Sequence, residues 1–137
     1  MSSQKQGLLP INQHAMKFLG HLSYHEYEGI AFDLEEQRRL LDDMGPHNRA
    51  MILRNHGLLV GGRTIAEAFD HIYFLERACE AQLATQAAGM DQIQIPTPAA
   101  QQKAEGQYAH DEIPMWVDIA WEAALRLIDP EHSDVWT

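Results

Sequence analysis

The chain predicts an α/β fold with a partly antiparallel sheet, and three observations carry that expectation. Ala50-Met51-Ile52-Leu53 and Leu58-Leu59-Val60 are apolar runs of strand length, separated only by Arg54-Asn55-His56-Gly57. Runs this short, bounded by turn residues, read as two buried strands joined by a tight connection. Thr64-Ile65-Ala66-Glu67 then has the spacing of a capping box. Behind it Ile65, Phe69, Ile72, Cys79 and Leu83, with Ala68 and Leu75 flanking, return at the three- and four-residue steps of one helix face. Consecutive short strands beside a long amphipathic helix fit helices packed over a partly antiparallel sheet.

The remaining elements follow from local signals. Asn12 is placed to cap a short helix over 13–19 that Gly20 ends. His21 to Tyr27 alternates as a strand, with Leu22, Tyr24 and Glu26 on one side and Ser23, His25 and Tyr27 on the other. Ile30-Ala31-Phe32 is a further short run. Asp33 caps a helix reaching Met44, which offers Leu34, Leu40, Leu41 and Met44 for burial before Gly45-Pro46 closes it. Gly89 supplies a stop for the long helix. Pro96 and Pro98 make 90–113 read as an extended connection, polar and weakly helical at best over 99–108. Pro114 then opens a C-terminal helix whose apolar face is Trp116, Ile119, Ala120, Ala123 and Leu127, ending at Asp129-Pro130. The acidic tail with Trp136 carries no readable element.

Composition narrows the function classes. With 137 residues the expectation is one domain, 1–137. Twenty acidic against ten basic residues give a net charge of -10, which argues against nucleic acid or an anionic membrane surface as a partner. The single cysteine, Cys79, falls on the apolar helix face and reads as a small buried hydrophobe rather than a reactive thiol. No disulfide can form within the chain, the first residues lack the apolar core of a signal peptide, and no stretch approaches the roughly 18 to 20 apolar residues of a membrane span. The expected setting is cytoplasmic.

The segment LRNHGLLVGGRTIAEAF followed by FLERACEAQL, with GLLPINQHAMKF and LSYHEYEGIAF upstream, resembles the class II aldolase/adducin family, its adducin-like bacterial members above all. The resemblance runs over about 7–89. It implies a three-layer α/β/α sandwich around a mostly antiparallel sheet, here without the domain's N-terminal part. It implies descent from metal-dependent lyases that cleave a C–C bond of small oxygenated or sugar-phosphate substrates through a metal-stabilised enediolate. In such aldolases zinc is held by three histidines, two in an H-x-H pair and the third in an N-H-G segment, which corresponds here to Asn55-His56-Gly57. None of the eight histidines of this chain are spaced H-x-H, and the segment that should carry the acid/base glutamate is absent. The resemblance therefore implies a chain that does not catalyse alone, in a homo-oligomer that is a tetramer by family habit. The alternative is a non-catalytic, adducin-like module for self-association or protein binding.

Each candidate residue has a plain structural role beside its functional one. His56 is a ligand position by resemblance, or else a buried imidazole satisfied by backbone hydrogen bonds. His25 lies among Tyr24, Glu26 and Tyr27, but alternation lets only pairs of these cooperate, so packing is its expected role. His14 sits near where the aldolases place a helpful tyrosine, which Ala15 cannot replace. Gly61-Gly62-Arg63 before a helix start attracts anions in principle, yet lacks the spacing of any phosphate loop. Trp116 and Trp121 are expected in the core or at a subunit contact.

Overall fold

The structure, a computed structural model, describes residues 1–30, 34–109 and 113–127. Its elements are α1 (Gln13–Met16), β1 (Leu22–His25), α2 (Leu34–Met44), β2 (Ala50–Leu53), β3 (Gly57–Val60), α3 (Ile65–Gln86), a 3-10 turn (Met90–Gln92), α4 (Pro98–Tyr108) and α5 (Ile113–Leu125). The run through Ala31 and Phe32, the Asp33 cap, the Asp129-Pro130 stop and the tail with Trp136 lie outside the described residues.

The sheet has the order β1-β2-β3 and is mixed. β1 pairs parallel with β2, Leu22 opposite Ala50 and His25 opposite Leu53, while β2 and β3 form an antiparallel hairpin with Ala50 opposite Val60. β2 is central and its Ala50, Met51 and Ile52 are fully buried, which is why its apolar run is continuous rather than alternating. Strand alternation puts Leu22, Ala50, Leu58 and Val60 on one face, where Leu75 and Cys79 of α3 close over them with Phe18. The opposite face carries His25, whose Nδ1 lies 2.7 Å from Asp43 of α2. With α3 and α2 on opposite faces, the chain builds the three layers of an α/β/α sandwich.

Local chemistry explains the agreements and the corrections. Asn12 caps α1 as expected, accepting from the Ala15 amide, but regular helix stops at Met16 and turns carry the chain to Gly20 at φ 69°. β1 is shorter than 21–27, because Glu26 and Tyr27 already stand in solvent. Thr64 caps α3, its hydroxyl accepting from the Glu67 amide at 3.1 Å. The returning carboxylate of Glu67, however, accepts from the Arg63 amide at 2.7 Å, one residue before the partner a capping box assigns. α3 ends at Gln86, and Gly89 takes its positive φ of 102° two residues past the cap.

The larger correction concerns faces. On α3 the buried residues are Ala66, Asp70, His71, Leu75, Ala78, Cys79 and Gln82, whereas Ile65, Phe69 and Leu83 remain substantially exposed. Hydropathy misplaces the face because three of its polar members have internal partners, and Phe69 turns instead toward Trp121 of α5, 5.3 Å between ring centroids. On α2, Leu34 and Leu41 point outward and Glu36 is the buried residue. On α5 only Val117 is buried, and Trp116, Ile119 and, just past the helix, Leu127 are exposed. The described part of the stretch 90–113 is not an extended connection: Thr97 caps α4 by accepting from the Ala100 amide, with Pro98 in its first turn. Proline at that position starts a helix, since its missing N–H would have no partner there anyway.

Candidate functional site

His56 stands at the tip of the β2–β3 hairpin. The turn is tight: the His56 amide donates to the Leu53 carbonyl at 3.1 Å and Asn55 takes φ 58°, a left-handed conformation that asparagine tolerates better than most side chains. Neighbouring groups pin it. The Asn55 amide donates to Ser2 O at 3.2 Å, Arg54 Nη1 donates to Gln4 O at 2.7 Å, and the Arg54 guanidinium stacks over the Tyr24 ring at 4.4 Å. Against the buried imidazole considered above, His56 is exposed, because the turn carries it beyond the covered part of the sheet. Among the described residues its imidazole has no hydrogen-bond partner. Nor does any group of three His, Cys, Asp or Glu able to hold a metal occur among them. A catalytic zinc site wants about three protein ligands, so the described residues of this chain do not make one.

His25 and His14, by contrast, are tied into the fold. His25 is buried, with Nδ1 on Asp43 and Nε2 3.8 Å from Glu36 and 3.9 Å from Glu28, which Arg39 clamps through bonds of 2.9 and 3.0 Å. Two of these carboxylates come from α2, beyond the reach of strand alternation. His14 packs on Phe74, ring centroids 5.1 Å apart. Cys79 is buried, and that burial, with the Glu76 charge adding to it, pushes its thiol up to about 11, so it stays protonated.

A cluster that sequence reasoning missed lies at the opposite end of the hairpin. Lys17 and Asp70 form a buried ion pair, and Lys17 Nζ also sits 4.6 Å from the Phe74 ring centre. His71, next along α3, bonds through Nδ1 to the Gly61 carbonyl at 2.8 Å. Burial depresses the His71 pKa, with the Lys17 charge acting the same way against the raising effects of Gly61, Asp70 and Glu67. Burial pushes the Glu67 carboxyl up, but the hydrogen bonds and charge of Arg63 outweigh it and hold the group below its ordinary value. These groups line a cleft of about 410 Å³ between α1, α3 and the start of α5. The available signal was Asp70-His71, two polar residues inside the apolar run AFDHIYFL.

Comparison with known proteins agrees with this architecture. Residues 1–83 match the model of the Class II Aldolase and Adducin N-terminal domain. A protein named "Putative aldolase class 2 protein" from Caulobacter vibrioides is 40% identical over 131 residues, covering 96% of this chain and 50% of that protein. Alpha-adducin of Rattus norvegicus is 37% identical over 139 residues, 94% of this chain and 19% of adducin. Among solved structures, an aldolase II superfamily protein from Pseudomonas syringae superposes with a TM-score of 0.85 at 44% identity, over 91% of this chain and 49% of that one. An L-fuculose 1-phosphate aldolase from Glaciozyma antarctica PI12, at TM-score 0.73 and 23% identity over 95% of this chain and 48% of its own, shares the fold. The chain spans about half the length of the aldolase-named relatives it matches. Family match, curated relatives and folded neighbours converge on one conclusion: the chain belongs to the class II aldolase and adducin family.

Proposed function

We propose that this chain serves a class II aldolase-type lyase as a contributor rather than as a complete catalyst. It offers one imidazole, His56, to a metal centre, zinc by family habit, whose other ligands come from outside the described residues. The observation that supports this reading is the placement of His56: exposed, without a partner among the described residues, and presented on a hairpin tip that Ser2, Gln4 and Tyr24 hold still. A ligand donated to a shared centre needs that combination of a free nitrogen and a fixed backbone. The substrate class is the small oxygenated or sugar-phosphate skeleton of the family, and the setting is cytoplasmic. Among the described residues no helix is long and apolar enough to cross a membrane.

The test is elemental analysis of the chain alone after dialysis against a weak chelator, together with a retro-aldol assay. Metal below roughly a tenth of an equivalent and no turnover are expected, because one imidazole holds zinc poorly. About one zinc per chain, lost in His56→Ala, would overturn the proposal. The variant is a fair control, since replacing an exposed side chain of this kind changes stability by about 0.5 kcal/mol or less.

A second reading, a non-catalytic association module of the adducin kind, is favoured by a separate observation. Met115, Trp116 and Ile119 of α5, with Leu127 just beyond it, are all exposed. Exposed apolar surface of this sort marks sites of protein contact.

A further inference from the structure

Arg49 and Gly61 close the end of the β2–β3 ribbon away from His56, the Gly61 amide donating to the Arg49 carbonyl at 2.9 Å. At about 3.3 Å per residue, the four-residue strands put roughly 13 Å between the two ends. The cleft at this far end is therefore a separate place from the His56 tip. Two of its lining groups, Lys17 and Asp70, are charged and nevertheless buried. An interior ion pair is expensive in desolvation and is weak evidence for stability, so a pair of this kind in a cleft wall invites a functional reading.

His71 gives the cleft its chemistry. It is only 3% exposed, and its Nδ1 must donate, because the Gly61 carbonyl is purely an acceptor. The proton of the neutral ring is thereby fixed on Nδ1 and the lone pair on Nε2. Nε2 has no partner among the described residues, and it is not one of the buried unsatisfied atoms sealed away from solvent. With the ring's pKa depressed, Nε2 is a standing acceptor near neutral pH. Arg49 also lines the cleft and has a guanidinium without a partner among the described residues, whereas Arg63 shares its own with Glu67. Thr64 at the start of α3 lies beside them, at the positive end of that helix. Three carboxylates also line the space: Asp70 is taken by Lys17, Glu67 by Arg63, and Asp118 is exposed on the α5 wall, where solvent screens it.

We propose that this cleft binds a small hydroxycarboxylate, its hydroxyl donating to His71 Nε2 and its carboxylate meeting Arg49 at the mouth of α3. A hydroxyl supplies that proton without adding a charge to a cleft in which Lys17 already pairs with Asp70 and Arg63 with Glu67. The cleft volume of about 410 Å³ suits a small ligand, at the low end for binding pockets.

The experiment titrates the chain with glycolate and, in parallel, with acetate, which lacks the hydroxyl. Two signals are followed by NMR: the ring nitrogens of His71 and the backbone amides of 61–67. Saturable shifts with glycolate are expected, with the Nε2 resonance moving as it accepts a hydrogen bond. Acetate should bind at least about tenfold more weakly, as sites built to bond a hydroxyl reject analogues without one. His71→Asn keeps a side-chain donor for Gly61 but, being shorter, has no acceptor at the position of Nε2, so glycolate should fall to the acetate level. Arg49→Gln should weaken both ligands by about tenfold, the loss of a charge-assisted contact. His56→Ala should leave every shift unchanged, which separates this site from the lyase reading. Equal binding of glycolate and acetate to the unaltered chain, or an Nε2 resonance that does not move, would overturn the assignment without any variant having to fold.

Discussion

His71 is the residue whose ionisation should register in stability. Its pKa in the folded chain lies below the ordinary 6.5, first because burial penalises the imidazolium. Above 6.5 folded and unfolded chains both hold it neutral, and its contribution is complete. As pH falls through 6.5 the unfolded chain takes the proton first, so stability declines until the folded pKa is reached. Melting temperatures measured from about pH 8 down to pH 5 should therefore fall on the acid side, and His71→Asn should flatten that part of the decline. Parallel curves for the two proteins would show that His71 is not held neutral. Single residues were unevenly legible in the sequence. Cys79 as a core hydrophobe follows from its neighbours' spacing, whereas Gln82 does not. It is fully buried because its Oε1 accepts from the Leu9 amide at 2.7 Å and its Nε2 donates to the Gly7 carbonyl at 2.8 Å. Gly7 permits this: it takes φ 69°, and a Cβ there would collide with the Tyr24 ring.

At the scale of elements, α3 offers a discriminating pair of substitutions. Leu75 is fully buried against Ala50, Phe18 and Cys79, while Phe69 keeps 37% of its surface exposed. Leu75→Ala should cost about 2–5 kcal/mol through lost burial and the cavity left behind. Phe69→Ala should cost clearly less, since much of its ring is already wet and the loss is mainly its contact with Trp121. Urea denaturation of the two variants checks the order, and the reverse ranking would mean that the apolar periodicity had given the right face after all. Strand positions and helix starts were legible because they rest on short-range chemistry: the AMIL run, the Thr64 hydroxyl, the Asn12 carboxamide. Helix faces were not. Which side of α3 or α2 is covered depends on partners outside the helix, such as Lys17 for Asp70 on α3 and His25 for Glu36 on α2, that no local pattern contains. The 11-residue α4 was missed for a different reason, a proline taken as a breaker where it opens the helix.

For the whole molecule, the apolar outer face of α5 predicts self-association. Light scattering should give a mass above 15.6 kDa, and Trp116→Glu together with Ile119→Glu should return the chain to a monomer. Added salt should strengthen the assembly by screening the net charge of -10. A monomer at all concentrations would remove the association reading. The family architecture was legible from about 7–89, whereas the Lys17–Asp70–His71 cluster needed three dimensions, since 53 positions separate the ion pair. The two bonds made by Gln82 have a consequence for how the chain reaches this shape. They join positions 73 and 75 apart, so neither can form until nearly all of the sandwich's sequence is in place. Closing so long a loop costs chain entropy before any contact repays it. The segment around Gly7 and Leu9 should therefore dock late, after the hairpin and α3 have met. In a native-state hydrogen-exchange experiment it would open ahead of the sheet, carrying with it the Ser2 and Gln4 carbonyls that steady the hairpin tip. The fixity of His56 is then set by the part of the protein that arrives last and leaves first.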